Sequence, residues 1–165
     1  MAVFLRAQPP LADMLHITSH LRDRDREEIF ATRYGEEPKD LARDATFSGA
    51  FRWIAYHDGV PTAAIGAVPR WPNVWTVWAF GTDDWDKTVL TLTRHVRRFM
   101  IPAIYGSGAI RADCLALAAH EGARKWLTAL GATPEKVLDN WGKNGEAFVS
   151  YCWTREQTKG RVKHV

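Results

Sequence analysis

Between Asn73 and Ala132 the chain reads strand, Gly-Thr-Asp-Asp, long helix, Gly-Ser-Gly, strand, His-Glu-Gly, short helix and Gly. A strand that reaches its neighbour through a helix must cross over, and a right-handed crossover lays the two strands parallel in one sheet. No other stretch restricts the fold as tightly. Ligands of such units bind outside the carboxyl end of the first strand, which here is Gly81 to Asp84.

Along Asn73–Phe80, the residues Val74, Thr76, Trp78 and Phe80 alternate with Trp75, Val77 and Ala79. Both faces are apolar, so the strand is predicted to be central. Trp71, Trp75 and Trp78 are read as core side chains rather than as a stacking platform for bases or sugars. In the helix predicted over Asp83–Tyr105, Trp85, Val89, Leu92, Val96 and Phe99 form the buried stripe, leaving Arg94, His95, Arg97 and Arg98 as a solvated basic face. Thr82 or Asp83 is placed to cap its first turn, and Pro102 to kink its last. Ile110–Leu117 is the second strand, and Ala119, Ala123, Trp126, Leu127 and Leu130 line one face of the short helix that Gly131 ends.

Upstream, Val3–Gln8 reads as a strand stopped by Pro9 and Pro10. Leu11, Met14, Leu15, Ile17 and Leu21 mark an amphipathic helix, Arg22–Gly35 a second one of mixed charge, and Pro38–Phe47 a third with Pro at its start. From Ala50 the period drops to two, and Phe51–His57 and Val60–Val68 form an antiparallel hairpin across Asp58-Gly59. His57, beside that turn, is expected to be exposed and without a chemical role. Glu135–Trp141 and Ala147–Trp153 close the chain as a second hairpin.

With 165 residues, 46% of them hydrophobic, the chain suffices for one domain and one substantial core, read as residues 1–154. The formal net charge of +3 resides entirely in the tail from Arg155 to Val165. Such a tail is either solvated or an arm that orders on nucleic-acid phosphates or an acidic protein surface. Neither interleaved aromatics nor zinc-type spacing marks a nucleic-acid reader. No stretch approaches the roughly 18–20 apolar residues of a membrane span, and the N-terminus has no signal-peptide pattern, so a soluble protein is expected. Cys114 and Cys152 fall in predicted strands and are read as buried thiols.

This order of elements resembles the GNAT (Gcn5-related N-acetyltransferase) fold over nearly the whole chain. The most specific local match is His120-Glu-Gly-Ala123-Arg-Lys-Trp126-Leu127-Thr-Ala-Leu130-Gly131-Ala132, which follows a strand and has the spacing of the family's Asn, Ala, hydrophobic, Tyr, Gly, Phe pattern. More narrowly, the runs WIAYHDGVPTAAIGAVP, VWAFGTDD and RKWLTALGA resemble small GNAT-like proteins of tailed bacteriophages and prophages, among them an internal virion protein family of short-tailed phages. The resemblance implies an α/β (α+β) fold with a mixed, mostly antiparallel seven-stranded sheet flanked by about four helices. Its central strands would splay apart to hold acyl-coenzyme A.

Binding that coenzyme needs backbone N–H groups at a helix N-terminus, where free donors and the helix dipole favour the diphosphate. The resemblance places this role on Phe80, Gly81, Thr82, Asp83, Asp84 and Lys87. In place of the family's Gln or Arg with spaced glycines, however, the loop has one glycine and the carboxylates of Asp83, Asp84 and Asp86. These satisfy the dipole themselves and repel a diphosphate unless Lys87 or Arg70 folds over it. On the acid side, Leu127 stands where the family has Tyr, and His120 stands at the family's Asn, with a near-neutral pKa suited to proton donation. Tyr105 and Tyr151 are further candidate acids, and Glu28 or a water is the candidate base, although Glu27 and Glu28 also fit solvated ion-pair partners. Cys114, in a buried strand without a fixed basic partner, is expected to be inert. No metal site is read.

The expected function is a bacteriophage protein that keeps the GNAT fold as a scaffold with a degraded acetyl-CoA site and no cofactor. Its partners would be other virion proteins at the portal, tail or ejection machinery, in the host cytoplasm during infection and then in the virion. One alternative is an active acetyl-CoA-dependent N-acetyltransferase on a small-molecule or protein amine, with His120 as acid and Glu28 or water as base. Another is an effector that binds a host protein.

Overall fold

The structure, a computed structural model, describes residues 2–155. The basic tail beyond Arg155 lies outside the described residues. Seven strands form one sheet: β1 (Val3–Ala7), β2 (Phe51–His57), β3 (Val60–Trp71), β4 (Val74–Gly81), β5 (Arg111–Leu117), β6 (Thr133–Leu138) and β7 (Phe148–Thr154). Their order is β1-β2-β3-β4-β5-β7-β6, and only β4 and β5 run parallel. This is the mixed, mostly antiparallel sheet that the resemblance implied. β2 and β3 meet at His57↔Val60 across Asp58 and Gly59, both left-handed at φ 48 and 80. That is the type I′ turn whose twist matches the strands. His57 is buried rather than exposed, because β1 runs alongside and pairs Val3 with it.

One face of the sheet carries α1 (Leu11–Ser19), α2 (Asp23–Ala31) and α3 (Pro38–Phe47), whose Met14, Ile17, Phe30 and Leu41 pack on Ile54, Ala64 and Phe80. The other carries α4 (Val89–His95), α5 (Ile101–Gly106) and α6 (Glu121–Ala129), packed on Ile65, Trp75, Ala112 and Val149. The period-two alternation of β4 thus divides its side chains between two cores, as read from the sequence. Among the described residues no helix is long and apolar enough to cross a membrane.

The helix expected over Asp83–Tyr105 is interrupted. A 3₁₀ turn at Trp85–Lys87 precedes α4, and a π-helical turn at Val96–Met100 joins α4 to α5. Pro102 has no N–H for the carbonyl one turn back, and its ring crowds that carbonyl; the wider turn relieves the contact. The extra residue in the turn also shifts the buried stripe, so Met100 and Ile104 are buried while Phe99 is 61% exposed. β3 likewise runs past its expected end at Val68, with an irregularity between Pro69 and Trp71 that excuses the missing proline donor.

Gly66 on β3 carries Trp78 directly above it, and a Cβ there would come within 2.3 Å of the indole. Gly66→Ala is expected to cost about 1–3 kcal/mol by overpacking. A thermal melt checks this, and an unchanged midpoint would mean that Trp78 is not held against β3.

Candidate functional site: the opening between β4 and β5

β4 and β5 pair only from Val74↔Arg111 to Thr76↔Asp113. Beyond that point β4 continues to Gly81 and β5 to Leu117 without pairing each other, and a cavity of about 570 Å³ occupies the opening. Most of its wall is apolar, with Phe80 from β4, Trp85 from the 3₁₀ turn, Cys114 from β5, and Trp126 and Leu127 from α6.

Splaying two strands strips partners from their facing backbone groups, and a buried amide left unpaired is costly. Two carboxylates of α2, one helical turn apart, supply the missing acceptors. Asp25 accepts the Gly81 N–H at 2.8 Å, at the end of β4. Glu28 accepts the Leu117 N–H at 2.7 Å through Oε2, at the end of β5. Helix α2 therefore spans the mouth of the opening and ties both strand ends.

Asp25 is the more heavily bonded of the two. It is 2% exposed and also accepts from Arg22 Nε at 3.0 Å, Arg22 Nη2 at 2.8 Å and His120 Nε2 at 2.8 Å. Burial alone would raise its pKa. The bonds from His120 and Arg22, the Arg22 charge and the Gly81 amide outweigh burial and hold the carboxyl below its ordinary value. The Arg22 guanidinium lies 4.4 Å above the Trp85 ring, which joins the network to the loop after β4. Glu28 has no such cation in contact. Burial pushes it up to about 7, opposed by the Leu117 amide and the His120 and Arg22 fields. Its Oε1 has no hydrogen-bond partner among the described residues.

His120 caps α6, its Nδ1 accepting the Ala123 N–H at 3.3 Å. With Nε2 on Asp25, these partners assign the Nε2–H tautomer and occupy both ring nitrogens inside the protein. Tyr151 is buried, with its hydroxyl accepting from Arg124 Nε at 3.2 Å, whereas Tyr105 lines the cavity. Burial raises the Cys114 thiol far above its usual range, so it stays protonated, and both cysteines are unbridged. No group of metal-ligating side chains occurs among the described residues.

Of the loop residues singled out in the sequence, Phe80 lines the cavity and Gly81 is buried at its rim. Asp83, Asp84 and Lys87 are exposed, and Lys87 pairs with Asp84 at 2.9 Å. The loop's own N–H groups are largely spent. Those of Thr82, Trp85, Lys87 and Thr88 donate to the carbonyls of Thr62, Thr82, Asp84 and Trp85, and that of Asp84 to Thr82 Oγ1. The space beside Gly81 is taken as well, since a Cβ there would lie 2.7 Å from Trp85 Cε3.

No protein-family model and no curated protein matches the chain. Solved structures do. An N-acetyltransferase from Staphylococcus aureus Mu50 superposes with a TM-score of 0.71 at 13% identity, covering 93% of this chain and 99% of that one. A GNAT-family acetyltransferase from Bacillus anthracis gives 0.70 at 10% identity, covering 94% and 96%. The fold is that of the GNAT acetyltransferases. A further GNAT-fold neighbour, yncA from Salmonella typhimurium, was solved with its cofactor acetyl-CoA and gives 0.69 at 12% identity, covering 93% and 94%. At such identities the likeness concerns the fold.

The GNAT fold implies acyl-coenzyme A in the opening, with its diphosphate on the loop after β4. The cavity's wall is mostly apolar, and the residues of the loop are a poor match for a diphosphate. Most of the loop's donors are bonded within the protein, three carboxylates surround its one cation, Lys87, and Trp85 packs beside Gly81.

Two contributors escaped the sequence reading. Asp25 and Arg22 looked like members of an alternating-charge helix. Their one local signal was the spacing of three between Asp25 and Glu28, which places two carboxylates on one helix face.

Proposed function

We propose that this chain is a GNAT-fold binding protein that works without coenzyme A, its cleft retained and its nucleotide cradle lost. The observation that carries this reading is the loop from Thr82 to Thr88, in which the N–H groups of Thr82, Asp84, Trp85, Lys87 and Thr88 donate within the protein while Asp83, Asp84 and Asp86 are exposed. In a phosphate cradle the donors stay free and the helix dipole unanswered. A place among phage virion proteins is the role that the sequence resemblance supports. Recovery of the chain from purified particles at a fixed copy number checks that part.

A second reading, an N-acetyltransferase, is favoured by Glu28. A carboxyl raised to about 7 beside an open cavity has the basicity expected of a general base at neutral pH. In that reading the acid is a water or Tyr105, since His120 has both nitrogens engaged. Incubating the protein with acetyl-CoA and a panel of primary amines, with free thiol as the readout, separates the two. The binding-protein reading expects no thiol above the buffer rate. Turnover that disappears in Glu28→Gln would establish the enzyme instead.

A further inference from the structure

From Lys87 to Arg111 the chain carries Lys87, Arg94, Arg97, Arg98 and Arg111 and no acidic residue. α4, the π-helical turn and α5 thus have no carboxylate of their own. Neither has β2, whose Trp53 touches His95, nor β1, which pairs with β2. Arg94, Arg97 and Arg98 are exposed and form no ion pair among the described residues, Arg97 donating instead to the Ala129 carbonyl. A basic face with no acid beside it holds a standing positive potential.

The fold brings a row of rings to the same face. The His95 ring lies 4.5 Å from that of Trp53, edge to face, and 5.4 Å from that of Phe99. Trp53 is stacked with Phe51 at 6.0 Å, and Phe51 with the buried Trp75 at 5.4 Å, which fixes the row to the core. Phe51, Trp53 and His95 are half-buried, and Phe99 is the open end, turned to solvent by the π-helical turn. Burial lowers the pKa of His95, so at neutral pH its ring is an uncharged aromatic surface. Arg94 and Arg98 precede His95 and Phe99 in sequence, which sets a row of cations beside the row of rings. None of these residues lines the opening between β4 and β5. Exposed cations hold phosphates, and open aromatic faces hold unpaired bases by stacking, whereas an acidic protein surface would engage the arginines and leave the rings idle.

We propose that the face formed by α4, the π-helical turn and β2 binds single-stranded nucleic acid, with Arg94 and Arg98 on the phosphates and a base stacked on Phe99. The interleaved aromatics that the linear sequence lacks are supplied by β2. The proposal goes beyond both readings of the cavity and stands whichever of them holds.

Fluorescence anisotropy of a labelled oligothymidine of about twelve nucleotides, titrated with the full chain, tests the proposal. At about 50 mM salt the expected Kd lies between about 1 and 100 µM. Arg94→Gln combined with Arg98→Gln should flatten the slope of log K against log salt by about 1.4, the share of two phosphate contacts on a single strand. Phe99→Ala should weaken oligothymidine at least about fivefold and leave that slope unchanged, as loss of one stacked base requires. An abasic strand of the same length should bind the wild type at least about fivefold more weakly and be indifferent to Phe99→Ala. All three side chains are exposed, and an unchanged thermal melt shows that the variants fold. Because the tail beyond Arg155 is also basic, the titrations are repeated on the full chain carrying Lys159→Gln, Arg161→Gln and Lys163→Gln, where both effects should persist. Oligouridine in the same titration distinguishes RNA from DNA as the source, and either one binding in this way bears the proposal out. Four results would overturn it: no binding of either strand below about 100 µM, binding indifferent to Phe99→Ala or to the arginine pair, equal binding of the abasic strand, or oligoglutamate bound as tightly as oligothymidine.

Discussion

Asp25→Ala is expected to remove about 3–5 kcal/mol of stability, the largest loss anticipated for any single side chain outside the apolar core. The carboxylate receives the Arg22 guanidinium, the His120 ring N–H and the Gly81 amide. Its removal leaves a half-buried cation, a buried imidazole and a buried backbone donor without an acceptor. Urea unfolding measures the loss, and Asp25→Asn, which keeps an acceptor oxygen, should lose less. The pH profile carries an independent sign. Because the folded-state pKa of Asp25 lies below the ordinary value, its contribution is present above that ordinary value and disappears as pH falls through the folded pKa. Acid sensitivity below about pH 4 should therefore shrink in both variants. A variant within 1 kcal/mol of wild type would mean that the network does not tie α2 to β4.

Glu28→Gln should act in the opposite direction. The carboxyl rises from 4.5 to about 7 on folding. Between those values the folded state binds the proton and the unfolded state does not, so wild-type stability falls as pH rises through that window and levels off above it. At about 1.4 kcal/mol per pKa unit the full penalty reaches about 3 kcal/mol at pH 8, an upper bound for a residue that still touches the cavity. Glutamine accepts the Leu117 amide without that penalty. The variant should match wild type near pH 4 and exceed it at pH 8. A difference that is constant with pH, or a loss at pH 8, would contradict the half-buried state of Glu28 without a cation in contact. Asp25 and Glu28 thus stand one turn apart on one helix with opposite pH signatures, because Arg22 and His120 contact one and not the other.

Much of this fold was legible in the alternation of apolar residues. β4 showed its central place because both of its parities are apolar, and Asp58-Gly59 announced a hairpin through its tolerance of left-handed backbone. The π-helical turn was not legible. A pattern counted at 3.6 residues per turn assigns Phe99 to the buried face, and only the accommodation of Pro102 moves Met100 there instead. At the site, the identities of Asp83, Asp84 and Asp86 already argued against a diphosphate. That Thr82, Asp84, Trp85, Lys87 and Thr88 also spend their amides within the protein depends on backbone geometry. Glu28 was singled out for its chemistry, but its burial, and the bonds of Asp25 to residues far along the chain, arise from tertiary packing alone.

On the binding-protein reading, the loop after β4 does not receive a coenzyme diphosphate. Isothermal titration of the full chain with acetyl-CoA tests it most directly. The expected result is no saturable heat up to millimolar ligand, with Asp83, Asp84 and Asp86 intact. One-to-one binding at micromolar concentrations, lost when Gly81 is replaced by a bulkier residue in a variant that still folds, would contradict it.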